Sequence, residues 1–240
     1  MIRMTFEKYK SRFQAGTRLA SLLENNNPKL YERIQKRREK IFCFAIPNGG
    51  VPVSEGFCSV LSLKYDLLIL RKIKIPYNPE AGFGSITTDG SLLLNETLLS
   101  KLNLSQKEIE NSIETTKKEI RERLRYYGKS DIEVQSYSNR ILDKYIFLID
   151  DGLASGFTML AAIKMVRNYN PQKIIVLAPT APFRTVQKIQ EKVDTVICAN
   201  IKRTIRFAVA QAYKNWYDLT EKEVLEILQK SDYFIESKMN

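Results

Sequence analysis

The chain has 240 residues, 44% hydrophobic and 27% charged, enough for one large or two small globular domains with a real core. It contains no histidine, and 38 Lys and Arg against 27 Asp and Glu leave a formal charge of +11. Without imidazole, Ser-His-Asp and Cys-His nucleophilic sites, HExxH metal sites and histidine acid–base steps are excluded. The positive balance favours an anionic partner: a phosphorylated metabolite, nucleic acid or an anionic membrane surface.

Apolar residues at Phe6, Tyr9, Phe13, Leu19, Leu22 and Leu23 have a roughly helical spacing and predict a helix with one buried face over residues 4–25, ending in an Asn-Asn-Asn-Pro run. The basic stretch YERIQKRREK (31–40) reads as a solvated helix end, with RNA contact as the alternative. It leads into IFCFAI (41–46), a buried strand stopped by Pro47-Asn48-Gly49-Gly50. Residues 51–63 read as a helix and YDLLIL (65–70) as a second apolar strand. Residues 71–91 read as an unusually long loop containing Gly and Pro, the kind that commonly serves as a lid or binding loop. A short strand at 91–95 follows. A long amphipathic helix then begins at a Ser105–Glu108 capping box and carries a stripe of Ile109, Ile113, Ile120, Leu124 and Tyr127.

The second half alternates strand YIFLI (145–149), helix 158–169, strand KIIVLAP (173–179), helix 183–191 and strand DTVICA (194–199). Fully apolar strands separated by helices predict an α/β fold, a doubly wound, mainly parallel sheet with helices on both faces. Its ligand belongs at the carboxyl ends of the strands. The organisation expected is one domain over 1–240, with a lid at 71–91 and a small C-terminal hood over 199–217. Cys43, Cys58 and Cys198 lie far apart in apolar runs and read as core thiols rather than disulfides or metal ligands. The N-terminus lacks a signal-like apolar stretch, and no window nears about 18 uncharged apolar residues, so a soluble cytoplasmic protein with no membrane partner is expected.

The chemistry concentrates in FLIDDGLASGFTM (147–159). Asp150 and Asp151 end a buried strand, and a loop with Gly152, Ser155, Gly156 and Thr158 opens a helix. Backbone N–H groups at such a helix start, with hydroxyls beside them, make an anion site suited to phosphate. Adjacent acids would repel that phosphate if they faced it. They are better used accepting hydrogen bonds from sugar hydroxyls or holding a divalent cation. A plain turn and helix cap is the alternative for the same residues. No GxxxxGK[ST] stretch and no GxGxxG after the first strand is present.

IFLIDDGLASGFTM resembles the phosphoribosyl diphosphate (PRPP) motif of the type I phosphoribosyltransferases. The resemblance extends over most of the chain through AGTRLASLL (15–23), IPNGGVPV (46–53), ILRKIKIPYNPEAGFGSI (69–86), LLNETLL (93–99) and APTAPFRTV (178–186). It implies transfer of a phosphoribosyl group from PRPP, with Mg²⁺, to a nitrogenous base, and release of pyrophosphate. Asp150 and Asp151 match the acids that hold the ribose hydroxyls and organise the Mg²⁺-bound substrate. Ala154, Ser155, Gly156, Phe157 and Thr158 match the 5′-phosphate cradle, Asn48, Gly49 and Gly50 the diphosphate turn, and Arg71 and Lys72 a basic pair facing pyrophosphate oxygens. Glu80 on the lid is the candidate general acid or base, and Phe207 and Tyr213 in the hood are candidates to stack on the acceptor base.

The sequence departs from the family pattern at Asn48, where relatives commonly carry Arg or Lys, at Ser155 in place of Thr, and at the bulkier Phe157. Ala154 supplies no proton-transfer group. Two other functions fit the same residues: a regulator that senses PRPP or a nucleotide without transfer, contacting RNA through 31–40, and a phosphosugar hydrolase. With PRPP as the anionic substrate, nucleic acid is not an expected partner. A homodimer is expected from the amphipathic 105–127 helix and from the family's habit.

Overall fold

The computed structural model describes residues 7–129, 134–204 and 206–235. In chain order its elements begin with α1 (Arg12–Asn26), α2 (Pro28–Lys36), β1 (Ile41–Ala45), α3 (Gly50–Leu61), β2 (Tyr65–Leu67), β3 (Leu70–Ile75), β4 (Asn78–Thr87), β5 (Leu92–Leu94) and α4 (Glu96–Leu99). They continue with α5 (Gln106–Tyr126), α6 (Val134–Ile141), β6 (Tyr145–Ile149), α7 (Phe157–Arg167), β7 (Lys173–Pro182), α8 (Phe183–Gln190), β8 (Thr195–Lys202) and α9 (Glu221–Gln229).

Five strands form a parallel sheet in the order β2-β1-β6-β7-β8. Their continuous apolar runs are explained by coverage on both faces. Cys43, Ala45, Phe147, Ile149, Ile175 and Leu177 face one core, shared with α1 and α3, through Leu19, Leu23, Val53 and Phe57. The alternate residues Phe42, Phe44, Ile146, Leu148, Ile174 and Val176 face a second core against Met159, Ala162, Ile163 and Val166 of α7. This period of two, with neither face wet, is the signature of a doubly wound sheet. The strand order reverses at the β1–β6 boundary, because the chain leaves β1 toward β2 on one side and returns with β6 on the other. A crevice at the carboxyl ends there is where such sheets place ligands.

Residues 71–91 are not a long loop. They form most of a three-stranded antiparallel sheet, β3-β4-β5. Its Pro and Gly residues suggested punctuation, but Gly82 answers to a close approach of the strands: a Cβ there would lie 2.8 Å from the Ile73 carbonyl oxygen of β3. Ile73, Ile75, Phe83 and Ile86 point into the first core together with Ile120, Leu124 and Tyr127 at the end of α5. The α5 stripe is therefore spent inside this chain, and the capping box at Ser105 and Glu108 is present as expected. That removes the stripe as an argument for a dimer.

The first helix starts later than its periodicity suggests, because Ser11 caps it by accepting from Gln14 N at 3.1 Å. Phe6 lies outside the described residues, and Phe13 is exposed rather than part of the buried face. Tyr9 precedes the helix and bridges to Tyr213, tying the N-terminal segment to the segment after β8. The run 65–70 splits between β2 and β3. Cys43 and Cys58 are buried and Cys198 half-buried, all three as free thiols. No helix among the described residues is long and apolar enough to cross a membrane.

Candidate active site

The register Ala45↔Ile149 between β1 and β6 sets the ends of the two strands side by side. Ile46 N donates to Ile149 O at 2.9 Å, so the turn Pro47-Asn48-Gly49-Gly50 and the acids Asp150-Asp151 leave the sheet together. The Pro47–Asn48 peptide is cis. Gly49 is needed for this approach, since a Cβ on it would lie 1.9 Å from Asp151 Oδ2.

Asp151 is the best-tethered group of the site. Its Oδ2 accepts from Arg12 Nε at 2.8 Å, its carbonyl accepts from the Tyr213 hydroxyl at 2.7 Å, and its N–H donates to Asp150 Oδ1 at 2.8 Å. Arg12, 8% exposed, is held in turn by the Tyr217 carbonyl at 3.0 Å and by the Trp216 ring, whose centroid is 4.1 Å from its guanidinium carbon. Burial pushes the Asp150 carboxyl well above the usual carboxylate range, and the charge of Asp151 adds to this. Burial also raises Asp151, against the opposing pull of Arg12. Two crowded carboxylates with one guanidinium bonded to Asp151 form a site that gains when hydroxyl donors or a cation arrive.

The loop after the acids closes on α8. Gly156 adopts φ +75° and starts α7, and Thr185 Oγ1 donates to Ala154 O at 2.7 Å. Ser155 Oγ accepts from Phe157 N at 3.3 Å, while Ala154, Ser155 and Thr158 are exposed. The first amides of α7 have no partner within the helix, and the loop presents them at the open end of the sheet.

A cavity of about 410 Å³ lies beside the acid turn, with Arg12, Asn48, Gly49, Arg71, Asp151 and Trp216 on its wall, along with Arg123 and Asp218; the 154–158 loop is not part of that wall. The structure brings Asn48, Gly49, Asp151 and Arg71 together here, with Gly50 and Asp150 adjoining them in the chain. Arg71 and Lys72 diverge, since successive residues of β3 face opposite sides. Lys72 Nζ donates to the Glu80 carbonyl out on the β3–β4 hairpin. Glu80 is exposed there and is not part of the cavity wall. Tyr213 is buried behind Asp151, 3% exposed, with its ring on Trp216 at 5.4 Å. Its position suits bracing of the acid turn rather than stacking on a base. Phe207 is half-buried outside the cavity wall.

Sequence reasoning missed Arg12, Arg123 and Trp216 as site residues. Arg12 left no local signal, being 139 positions from its carboxylate partner. Arg123 left one, a cation on the very face of the helix that carries Ile120, Leu124 and Tyr127.

An acid pair at the switch point of a doubly wound sheet, followed by a small-residue loop opening a helix, marks the strand-end crevice of an α/β fold as the candidate site. The family model for the phosphoribosyl transferase domain matches residues 18–214, and the chain belongs to that family. Two Mycobacterium tuberculosis proteins, from strains CDC 1551 / Oshkosh and H37Rv, bear the names "Putative phosphoribosyl transferase MT0597" and "Putative phosphoribosyl transferase Rv0571c". Each is 25% identical over 223 residues, 93% of this chain and 47% of its own length. The chain thus spans about half the length of these curated relatives. TT1426 from Thermus thermophilus has a similar fold, with a TM-score of 0.71 at 24% identity over 94% of this chain and 99% of that one.

Proposed function

We propose that this chain binds PRPP with Mg²⁺ and transfers the phosphoribosyl group to a nitrogenous acceptor, releasing pyrophosphate. The observation that carries this reading is the register of β1 against β6, which sets Asn48-Gly49-Gly50 beside Asp150-Asp151 at the head of the 154–158 loop. The turn and Asp151 share one cavity wall, the 154–158 loop follows the acids in the chain, and membership in the phosphoribosyl transferase domain family supports the same substrate.

Asp150 and Asp151 accept hydrogen bonds from the ribose hydroxyls, with Asp151 aimed by Arg12 and Tyr213. The amides at the start of α7, with Ser155 and Thr158, take the 5′-phosphate. Gly49 and Gly50 let backbone amides approach the diphosphate, and Arg71 contributes a charge-assisted donor. Among the described residues no cluster of three or more Asp, Glu or Cys is arranged as a metal cage. Asp150 and Asp151, the latter already engaged by Arg12, are the residues that would hold a Mg²⁺, whose preference for oxygen ligands they match. When bound, the ion would neutralise charge on the departing diphosphate. The chain's own contribution is positioning and preorganised donors at the leaving group.

The test is pyrophosphate release from PRPP and Mg²⁺ across a panel of purine, pyrimidine and related acceptors, with Asp150→Asn/Asp151→Asn as control. Release that the control abolishes is the expected result. PRPP binding without release under any acceptor would instead make the chain a sensor of that metabolite.

A further inference from the structure

Arg123 stands one turn before the end of α5, 7% exposed, and reaches the cavity from outside every segment that the PRPP reading assigns. Its Nη2 donates to Asn48 Oδ1, and its Nε lies 3.0 Å from Glu221 Oε1. The same Glu221 oxygen is 3.3 Å from Arg71 Nη2. The buried Arg71 Nε has no hydrogen-bond acceptor, and the buried Arg123 Nε meets Glu221 as an ion pair without hydrogen-bond alignment. Burial and the nearby Arg123 charge push the Arg71 guanidinium below its ordinary value, as expected of two cations held close with one carboxylate between them. Glu221 is delivered by the segment leading into α9, whose Leu219 carbonyl accepts from Asn48 Nδ2 at 2.5 Å. Asn48 therefore spends both ends of its amide holding Arg123 and the 219–221 segment.

We infer that Arg123 is the missing cation of the diphosphate subsite, fastened to Asn48 where the turn itself carries no charge, and that Glu221 occupies this subsite until the diphosphate displaces it. Two guanidinium forks converging on one oxygen match a polyphosphate better than a single carboxylate, because a diphosphate offers several charged oxygens to the donors left unpaired. A buried donor without an acceptor is costly, so these guanidinium groups favour an anion with several oxygens. The subsite would discriminate by charge: a diphosphate satisfies both forks, whereas a monoanion only replaces Glu221. The inference rests on the PRPP reading for the identity of the natural ligand but not for the chemistry of the subsite.

The experiment is calorimetric titration of the whole chain with inorganic pyrophosphate in the absence of metal, and separately with PRPP and Mg²⁺. Arg123→Met is expected to weaken pyrophosphate by about tenfold or more, and Glu221→Gln to tighten it severalfold by removing the competing charge. Adding Asn48→Arg to Arg123→Met is expected to restore affinity to within about threefold of the original chain, because the charge returns by the other route. Glu221→Gln changes a half-exposed residue at a helix start, so it reports even if Arg123→Met unfolds. Pyrophosphate affinity unchanged in Arg123→Met with its melting temperature intact, or weakened in Glu221→Gln, overturns the inference. PRPP binding that needs Asp151 but ignores Arg123 sinks the inference alone. Arg123-dependent pyrophosphate binding without any PRPP binding sinks the proposed function alone, and binding of neither ligand sinks both.

Discussion

Arg12 and Asp151 are 139 residues apart in sequence and joined by a 2.8 Å charge-assisted hydrogen bond, with side-chain exposures of 8% and 13%. This pair ties the first helix to the acid turn that ends β6. Removing one member of a buried pair strands the other charge, which typically costs about 3 kcal/mol. Arg12→Ala should therefore lower the stability measured by urea titration by that amount, and Arg12→Ala/Asp151→Asn should recover a large part of it. A single variant as stable as the original chain would show the pair to be solvated and weak.

The acid pair also predicts a pH dependence. Both carboxyls titrate above the ordinary range in the folded chain, chiefly through burial. Between the unfolded value of about 4 and the folded values, the native state holds more protons than the unfolded one, so stability falls as pH rises through that window. Asp150→Asn removes both a desolvated charge and the repulsion it exerts on Asp151. Its melting temperature should match the original chain near pH 4 and exceed it near pH 7 by on the order of 3 °C, while PRPP binding is lost. Parallel melting curves with a constant gap across that range would remove the burial argument. Stability gained by deleting a functional acid is the expected mark of a site strained toward its ligand.

The parallel sheet was legible because its central strands β1, β6 and β7 carry apolar runs buried on both faces, and YIFLI matches β6 residue for residue. The acid turn after β6 and the loop that opens α7 were legible as local structure because their residues are contiguous. The β3–β4 hairpin was obscured because Gly82 answers to the close approach of the Ile73 carbonyl across the sheet, while in sequence a glycine there reads as a turn. Helices α6 and α9 went unpredicted, although α9 carries a Thr220–Glu223 capping box of the same kind as the one that opens α5. The arginines were hidden for a different reason: Arg12 and Arg123 acquire their partners only when distant strand ends and helices meet.

Gly156 separates backbone strain from steric crowding when set beside Gly90. Both have positive φ, +75° and +83°, but a Cβ on Gly156 would meet Thr185 Cγ2 at 2.8 Å, whereas nothing lies within 4 Å of one on Gly90. Gly90→Ala should cost about 1 kcal/mol, the left-handed backbone penalty alone, and leave ribose 5-phosphate affinity unchanged. Gly156→Ala adds a clash with the residue that holds the Ala154 carbonyl. It should cost about 2 kcal/mol or more and weaken ribose 5-phosphate by about tenfold. Urea titrations and calorimetry on the two variants distinguish them, and equal effects in both would leave Thr185 no role in shaping the loop.

Glu80 tests whether the hairpin takes part in the chemistry. A general acid or base works within hydrogen-bond reach of the proton it moves and contributes about 10² to 10⁴ in rate. Glu80 is exposed on β4 beyond the cavity wall, and its carbonyl is held by Lys72 along the same hairpin. Glu80→Gln should accordingly change kcat for pyrophosphate release by less than about threefold and leave the shape of the pH–rate profile intact. A loss of about a hundredfold with one limb of that profile removed would mean the opposite: that β3 and β4 swing over the crevice in the substrate complex and carry the carboxylate to the reacting atoms.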